Sequence, residues 1–207
     1  MLAARAPIYG TKDAGRGFWL RLKDVVLAEG YTLNRILPTV FALHHEGKLV
    51  SVMSSNVDDL LYGYKEEHSG PIKKILETFK VREENESKFR FCGKEVTQHE
   101  NWSITVTAKD NTEKIKPIDI AATRRANDRC TAGETTAFRS VVASIAWVAR
   151  QVRPGVSYRV SKLQSAAGNG TVKDMRTCNK VFEYMQSTSH VGIHFTSWGV
   201  EGRHGSP

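Results

Sequence analysis

The stretch "KLVSVMSSNVDDLLYGY", Lys48 to Tyr64, sets two adjacent carboxylates, Asp58 and Asp59, between two apolar runs of strand length. Leu49 to Met53 and Leu60 to Tyr64 carry β-prone residues, which predicts a tight hairpin with the aspartates at its tip. Two unit charges about 4 Å apart repel by roughly 1 kcal/mol in water and roughly 4 kcal/mol at a protein-like effective dielectric, so an exposed tip tolerates the pair. Carboxylates that project beyond a sheet edge also suit a hard divalent cation such as Mg²⁺, which takes oxygen ligands and keeps coordination for water and substrate phosphates. A pair of solvated turn aspartates is the other reading of the same two residues.

The flanks extend this hairpin into an α+β unit. From Arg16 to Glu29, Phe18, Leu22, Val25 and Val26 recur at helical spacing, and Gly30 is a natural C-terminal stop. "TVFALHHEGKLVSVMSS" reads as two strands around a His-Glu-Gly turn. His44, His45 and Glu46 are either turn residues or metal ligands, and the turn is the simpler assignment. "SGPIKKILETFK" puts Ile72, Ile75, Leu76 and Phe79 on one helical face, with Pro71 near the helix start, where its missing N–H does no harm. "SKFRFCGKEVTQHENWSITVTAKDN" predicts a second hairpin turning at His99 to Asn101, and Asp110 is a candidate cap for a short helix after it.

Residues 121–134, "AATRRANDRCTAGE", show no periodicity and are expected to be a linker between an α+β region over 1–120 and a helical region over 135–207. Arg124, Arg125 and Arg129 are there either to touch phosphate or as plain solvated charge. Beyond this stretch Phe138, Val142, Ile145, Val148 and Val152 share one helical face. At 100° per residue Arg139, Arg150 and Arg153 fall on a roughly opposite one, a candidate nucleic-acid-binding stripe or a solvated face. Trp147 beside it is either a stacking platform for a base or a partly buried core residue. Thr171 to Asp174 has capping-box spacing and opens a last helix.

The chain has 207 residues, enough to bury a core in one or two domains, and a formal charge of +8 that makes a polyanion such as nucleic acid a natural partner. Its three cysteines, Cys92, Cys130 and Cys178, are far apart and lack metal-ligand spacing, which argues for a reducing compartment and against a disulfide framework. No apolar run has membrane-spanning length and the start lacks a signal-peptide core, so the expected location is intracellular, cytoplasmic or nuclear, with no secretion and no membrane.

Several separated segments together resemble the reverse transcriptase region of copia-type retrotransposon polyproteins. "VDDLLYG" is similar to that family's Tyr-Val-Asp-Asp box, and "IYGTKDAGRGFWLRL" to its Leu-Tyr-Gly-Leu-Lys-Gln-Ala-Pro-Arg-Ala-Trp segment at the expected distance upstream. The likeness continues through "FCGKEV", "FRSVVASIAWVARQVRPGVSYRVSKLQSAA" and "VFEYMQSTSHVGIHF". It implies a right-hand polymerase palm, here a remnant built of an antiparallel sheet with helices, followed by a helical thumb-like part.

The implied activity is that of an RNA-directed DNA polymerase, a nucleotidyltransferase. Asp58 and Asp59 would be its catalytic metal ligands for Mg²⁺ or Mn²⁺, and Lys12, Asp13 and Arg16 would lie beside the incoming deoxynucleoside triphosphate. RNA template and DNA primer, or their duplex, would be the partners. Three departures qualify the likeness. Asn56 stands where the family has Tyr, Asp13 where it has Gln, and Gly15 where it has Pro. The family's third metal-binding Asp lies upstream of the matched segments and its RNase H region downstream, so both ends read as truncated. Weak metal binding and no activity of the isolated chain are therefore expected. A nucleic-acid-binding module without catalysis, or a nonfunctional relic, is the alternative.

Overall fold

The computed structural model describes residues 13–81 and 84–197. Two compact units divide between Glu84 and Asn85. The division falls far ahead of the polar stretch at 121–134, so the expected limits at 120 and 134 do not mark the boundary, and the second hairpin belongs with the later helices.

In the first unit α1 (Ala14–Ala28) ends where the sequence puts its stop. Gly30 has φ +87°, its N–H donates to the Leu27 carbonyl, and the Tyr31 N–H donates to that of Val26, a left-handed helix end. The chain then forms β1 (Thr32–Leu33), β2 (Val40–His45), β3 (Lys48–Asn56) and β4 (Asp59–Tyr64), an antiparallel sheet in sequence order. Helix α2 (Gly70–Thr78) follows, with Pro71 in its first turn. Leu22 and Val26 of α1 and Ile72 and Ile75 of α2 pack with Tyr31, Phe41 and Met53 in one buried cluster, lined further by Leu43, Leu60, Tyr62 and Tyr64. Side chains alternate along a strand, so both helices cover the same sheet face. The other face carries Ala42, Val52, Ser54, Leu61, Gly63 and Asp59.

The second unit opens with β5 (Lys88–Phe91), β6 (Lys94–Gln98) and β7 (Ile104–Thr107), a meander and not the single hairpin expected, because Cys92 and Gly93 break the first run. Both have left-handed φ, +49° and +76°, a combination that suits a two-residue hairpin loop. Helix α3 (Lys109–Lys114) follows, and Asp110 lies inside its first turn instead of capping it.

Helices α4 (Ala132–Val152), α5 (Ser157–Ala166) and α6 (Val172–Ser187) supply most of the second core, centred on Phe138, Ile145, Val172, Met175, Cys178 and Phe182. Burial pushes the Cys178 thiol up to about 12. A last strand, β8 (Ile193–Phe195), joins the free edge of β7 and makes the second sheet four-stranded. Gly192 permits this approach, since a Cβ there would lie 2.0 Å from the Val106 carbonyl oxygen.

Residues 121–134 are tied to the helices that follow by polar bonds, unlike a linker. Thr131 and Glu134 form a capping box at the start of α4, and the Arg124 guanidinium donates to both oxygens of Glu134, at 3.1 and 2.9 Å. The Thr131 backbone N–H, followed by Arg124, holds the Glu134 carboxyl below its ordinary range. The Val172 and Lys173 N–H groups at the start of α6 donate to the Asp128 and Ala126 carbonyls. Arg129 donates to the Asn169 carbonyl.

Candidate catalytic hairpin and basic helix

β3 and β4 pair from Ser51–Tyr64 down to Asn56–Asp59, which leaves Val57 and Asp58 as the loop. The aspartates therefore sit at a hairpin tip, as the sequence predicts, and both are exposed. No ion pair among the described residues engages either carboxylate. Asp59 opens β4 on the same strand face as Leu61 and Gly63, the face away from α1 and α2. Val57 has φ +57° while Asp58 has no positive φ, so the first loop position is one that favours Gly. A β-branched residue there stores roughly 1–3 kcal/mol of backbone strain.

Below the tip, Tyr31 Oη and Ser51 Oγ lie 2.7 Å apart, and Ser51 Oγ donates to the Gly63 carbonyl at 3.0 Å. These bonds tie the end of α1 to β3 and β4. The hydroxyl of Tyr62 donates to Glu84 and its ring stacks near Tyr64, centroids 6.3 Å apart.

The donors at the tip are hard oxygens of the kind Mg²⁺ takes. Among the described residues no group of three His, Cys, Asp or Glu side chains gathers to hold a metal ion, so the chemistry of the ligands fits and their number stops at two. Asp13 precedes α1, its carbonyl accepting the Gly17 N–H at 2.8 Å, and its carboxylate makes no cap bond. Arg16 is exposed in the first turn of α1, with no ion pair to Asp58 or Asp59. Lys12 lies outside the described residues.

The basic stripe of the second unit is not a row of three outward arginines. Helix α4 ends at Val152, and Arg153 is its cap residue with φ −129° and ψ 60° because Pro154 follows and disfavours the helical conformation. Its guanidinium is buried, donating to the Thr188 carbonyl at 2.7 Å and to Thr188 Oγ1 at 2.8 Å, above the Tyr184 ring. Arg153 ties the ends of α4 and α6 together. Arg139 is exposed but donates to the Ala167 carbonyl at the end of α5, at 3.2 Å. Arg150 is exposed, and its guanidinium makes a long contact of 3.4 Å to the Ala146 carbonyl of its own helix. Trp147 is partly buried, its indole 3.3 Å from where a Gly93 Cβ would stand.

Sequence reasoning missed the strain at Val57 and the strand β8. The first was legible as a β-branched residue at a predicted tip. The second is only three residues long, and its signal was the alternation of Val191, Ile193 and Phe195 with Gly192 and His194.

Compared with curated proteins, the chain is 22% identical over 203 residues to the Retrovirus-related Pol polyprotein from transposon RE1 of Arabidopsis thaliana. It is 24% identical over 205 residues to the corresponding polyprotein from transposon RE2. Each match covers 91% of this chain and 14% of the relative, so the chain spans a small part of the curated relatives' length. No family model and no solved structure matches it. The chain is similar, over nearly its whole length, to one segment of retrotransposon Pol polyproteins.

Proposed function

We propose that this chain is a reverse transcriptase segment of a copia-type Pol polyprotein, with the first unit as palm remnant and the helices of the second as the thumb-like part. The observation that carries the reading is the exposed Asp58–Asp59 tip on an antiparallel sheet backed by two helices on one face only. In the intact enzyme two Mg²⁺ ions would activate the primer 3′-hydroxyl and stabilise the leaving pyrophosphate. The chain's own part is to hold two carboxylates at a rigid, solvent-open corner. Two ligands alone leave Mg²⁺ mostly hydrated, so the isolated chain binds Mg²⁺ or Mn²⁺ weakly and extends no primer.

The test is Mn²⁺ titration followed by electron paramagnetic resonance. Weak binding by the wild type should fall further in Asp58→Asn and Asp59→Asn, and superimposable curves would remove the metal role. Detectable primer extension by the chain alone would overturn its assignment as inactive.

A second reading, nucleic-acid binding without catalysis, draws on the +8 charge and on Arg139 and Arg150. With Arg153 buried, only two of the three arginines can reach phosphate. Arg139→Gln with Arg150→Gln should flatten the salt dependence of duplex binding by about two units at most, each neutralised phosphate contributing about 0.9. Arg153→Gln should instead lower stability and leave the slope alone. An unchanged slope in the double variant counts against this reading.

A further inference from the structure

At the edge of the second sheet, away from every residue assigned above, two histidines meet over one hydroxyl. His99 closes the β6–β7 turn, its N–H donating to the Ser103 carbonyl at 2.9 Å. His194 is the middle residue of β8 and pairs directly with Thr105 of β7. His99 Nε2 lies 2.8 Å from Thr105 Oγ1 and His194 Nδ1 lies 3.1 Å from the same oxygen, while the ring centroids stand 6.1 Å apart. Two imidazole nitrogens, brought together from opposite ends of the unit, converge on one point. The turn that carries His99 is braced, because Asn101 Oδ1 accepts from both the N–H and the hydroxyl of Ser103, at 3.1 and 2.7 Å. An open cleft lined by Gln98, His99, Glu100, Asn101, Ser103 and His194 gives solvent access to the pair.

We propose that His99 and His194 form a binding site for a borderline divalent transition ion, Zn²⁺ or Ni²⁺, seated beside Thr105 Oγ1. Imidazole nitrogen suits such ions, whereas Mg²⁺ prefers oxygen, so the site is chemically distinct from the Asp58–Asp59 tip. Because no third His, Cys, Asp or Glu joins the two among the described residues, the Thr105 hydroxyl and water complete the coordination. Bound there, the ion staples His194 of β8 to His99 in the β6–β7 turn, two residues far apart in sequence. The proposal stands apart from the polymerase reading and survives its failure.

The experiment is isothermal titration of the full chain with ZnCl₂ and with NiCl₂, in buffer containing excess MgCl₂. One ion per chain is expected, with binding lost in His99→Gln and in His194→Gln and weakened about tenfold in Thr105→Val. The pair of exposed His45 and part-buried His68, with ring centroids 4.8 Å apart, supplies the control. His45→Gln with His68→Gln should leave the binding intact, and loss of binding there would move the ion to that pair and overturn the proposal. A readout on the unmodified protein guards against misfolded variants: Zn²⁺ should shift the ring resonances of His99 and His194 and slow amide exchange in Ile193–Phe195. Absence of binding, or resonances of these two rings that do not move, would also overturn it.

Discussion

The hairpin closed by Cys92 and Gly93 and the hairpin closed by Val57 and Asp58 have loops of the same length and solve the same backbone problem in opposite ways. The first sets a glycine at φ +76° and covers it with the Trp147 indole, so the turn is relaxed and packed. The second forces a β-branched residue to φ +57° and leaves it 65% exposed. A third two-residue loop, Glu46–Gly47, follows the relaxed pattern with φ values of +50° and +76°. Strain among these three loops is thus greatest at the tip that carries both aspartates.

The contrast breaks most readily at the relaxed turn. Gly93→Ala adds a Cβ at a left-handed φ and 3.3 Å from the indole, and should destabilise the second unit by about 1–3 kcal/mol. Urea unfolding, with amide exchange of β5 and β6 as the local reporter, measures it. A cost under about 0.5 kcal/mol, the range of an ordinary surface change, would show that the turn is not held by its packing.

Val57→Gly sharpens the comparison from the other side and with a smaller effect. Relief of about 1–2 kcal/mol of left-handed strain is offset by about 0.5–1 kcal/mol of glycine backbone entropy, leaving a net gain of about 0.5 kcal/mol. Amide exchange in β3 and β4 should slow slightly while Mn²⁺ affinity at the tip declines. A variant that is less stable than the wild type would show that Val57 makes a contact that outweighs its strain.

Much of the first unit was legible because its signals are local. Period 3.6 before Gly30, strand-length runs on either side of the aspartates and Pro71 before an amphipathic run all agree with the elements they produce. The second unit hid more. Residues 121–134 look unstructured because their order comes from polar side chains and backbone groups, Arg124 on Glu134 and Asp128 beneath α6, with no apolar periodicity. The Thr131–Glu134 spacing was nevertheless there to be read as a helix start. The wheel that set Arg153 on an outward stripe assumed a helix through position 153, and the proline that follows ends it one residue earlier. Of the candidate site, the tip and its exposure could be read from the chain. Which arginines are already committed to Thr188 or Ala167 could not, because those partners are distant in sequence.

The late arrival of β8 gives the two units different folding schedules. Strands β1 to β4 pair only with their sequence neighbours, so the first sheet can assemble from contacts of short range, the kind that form fast. The second sheet cannot be completed until Ile193–Phe195 returns to an edge laid down before three long helices were made. During synthesis the β7 edge therefore waits unpaired while α4, α5 and α6 emerge, and an unpaired edge is a template for another chain. Docking of β8 both finishes the sheet and ends that period of exposure.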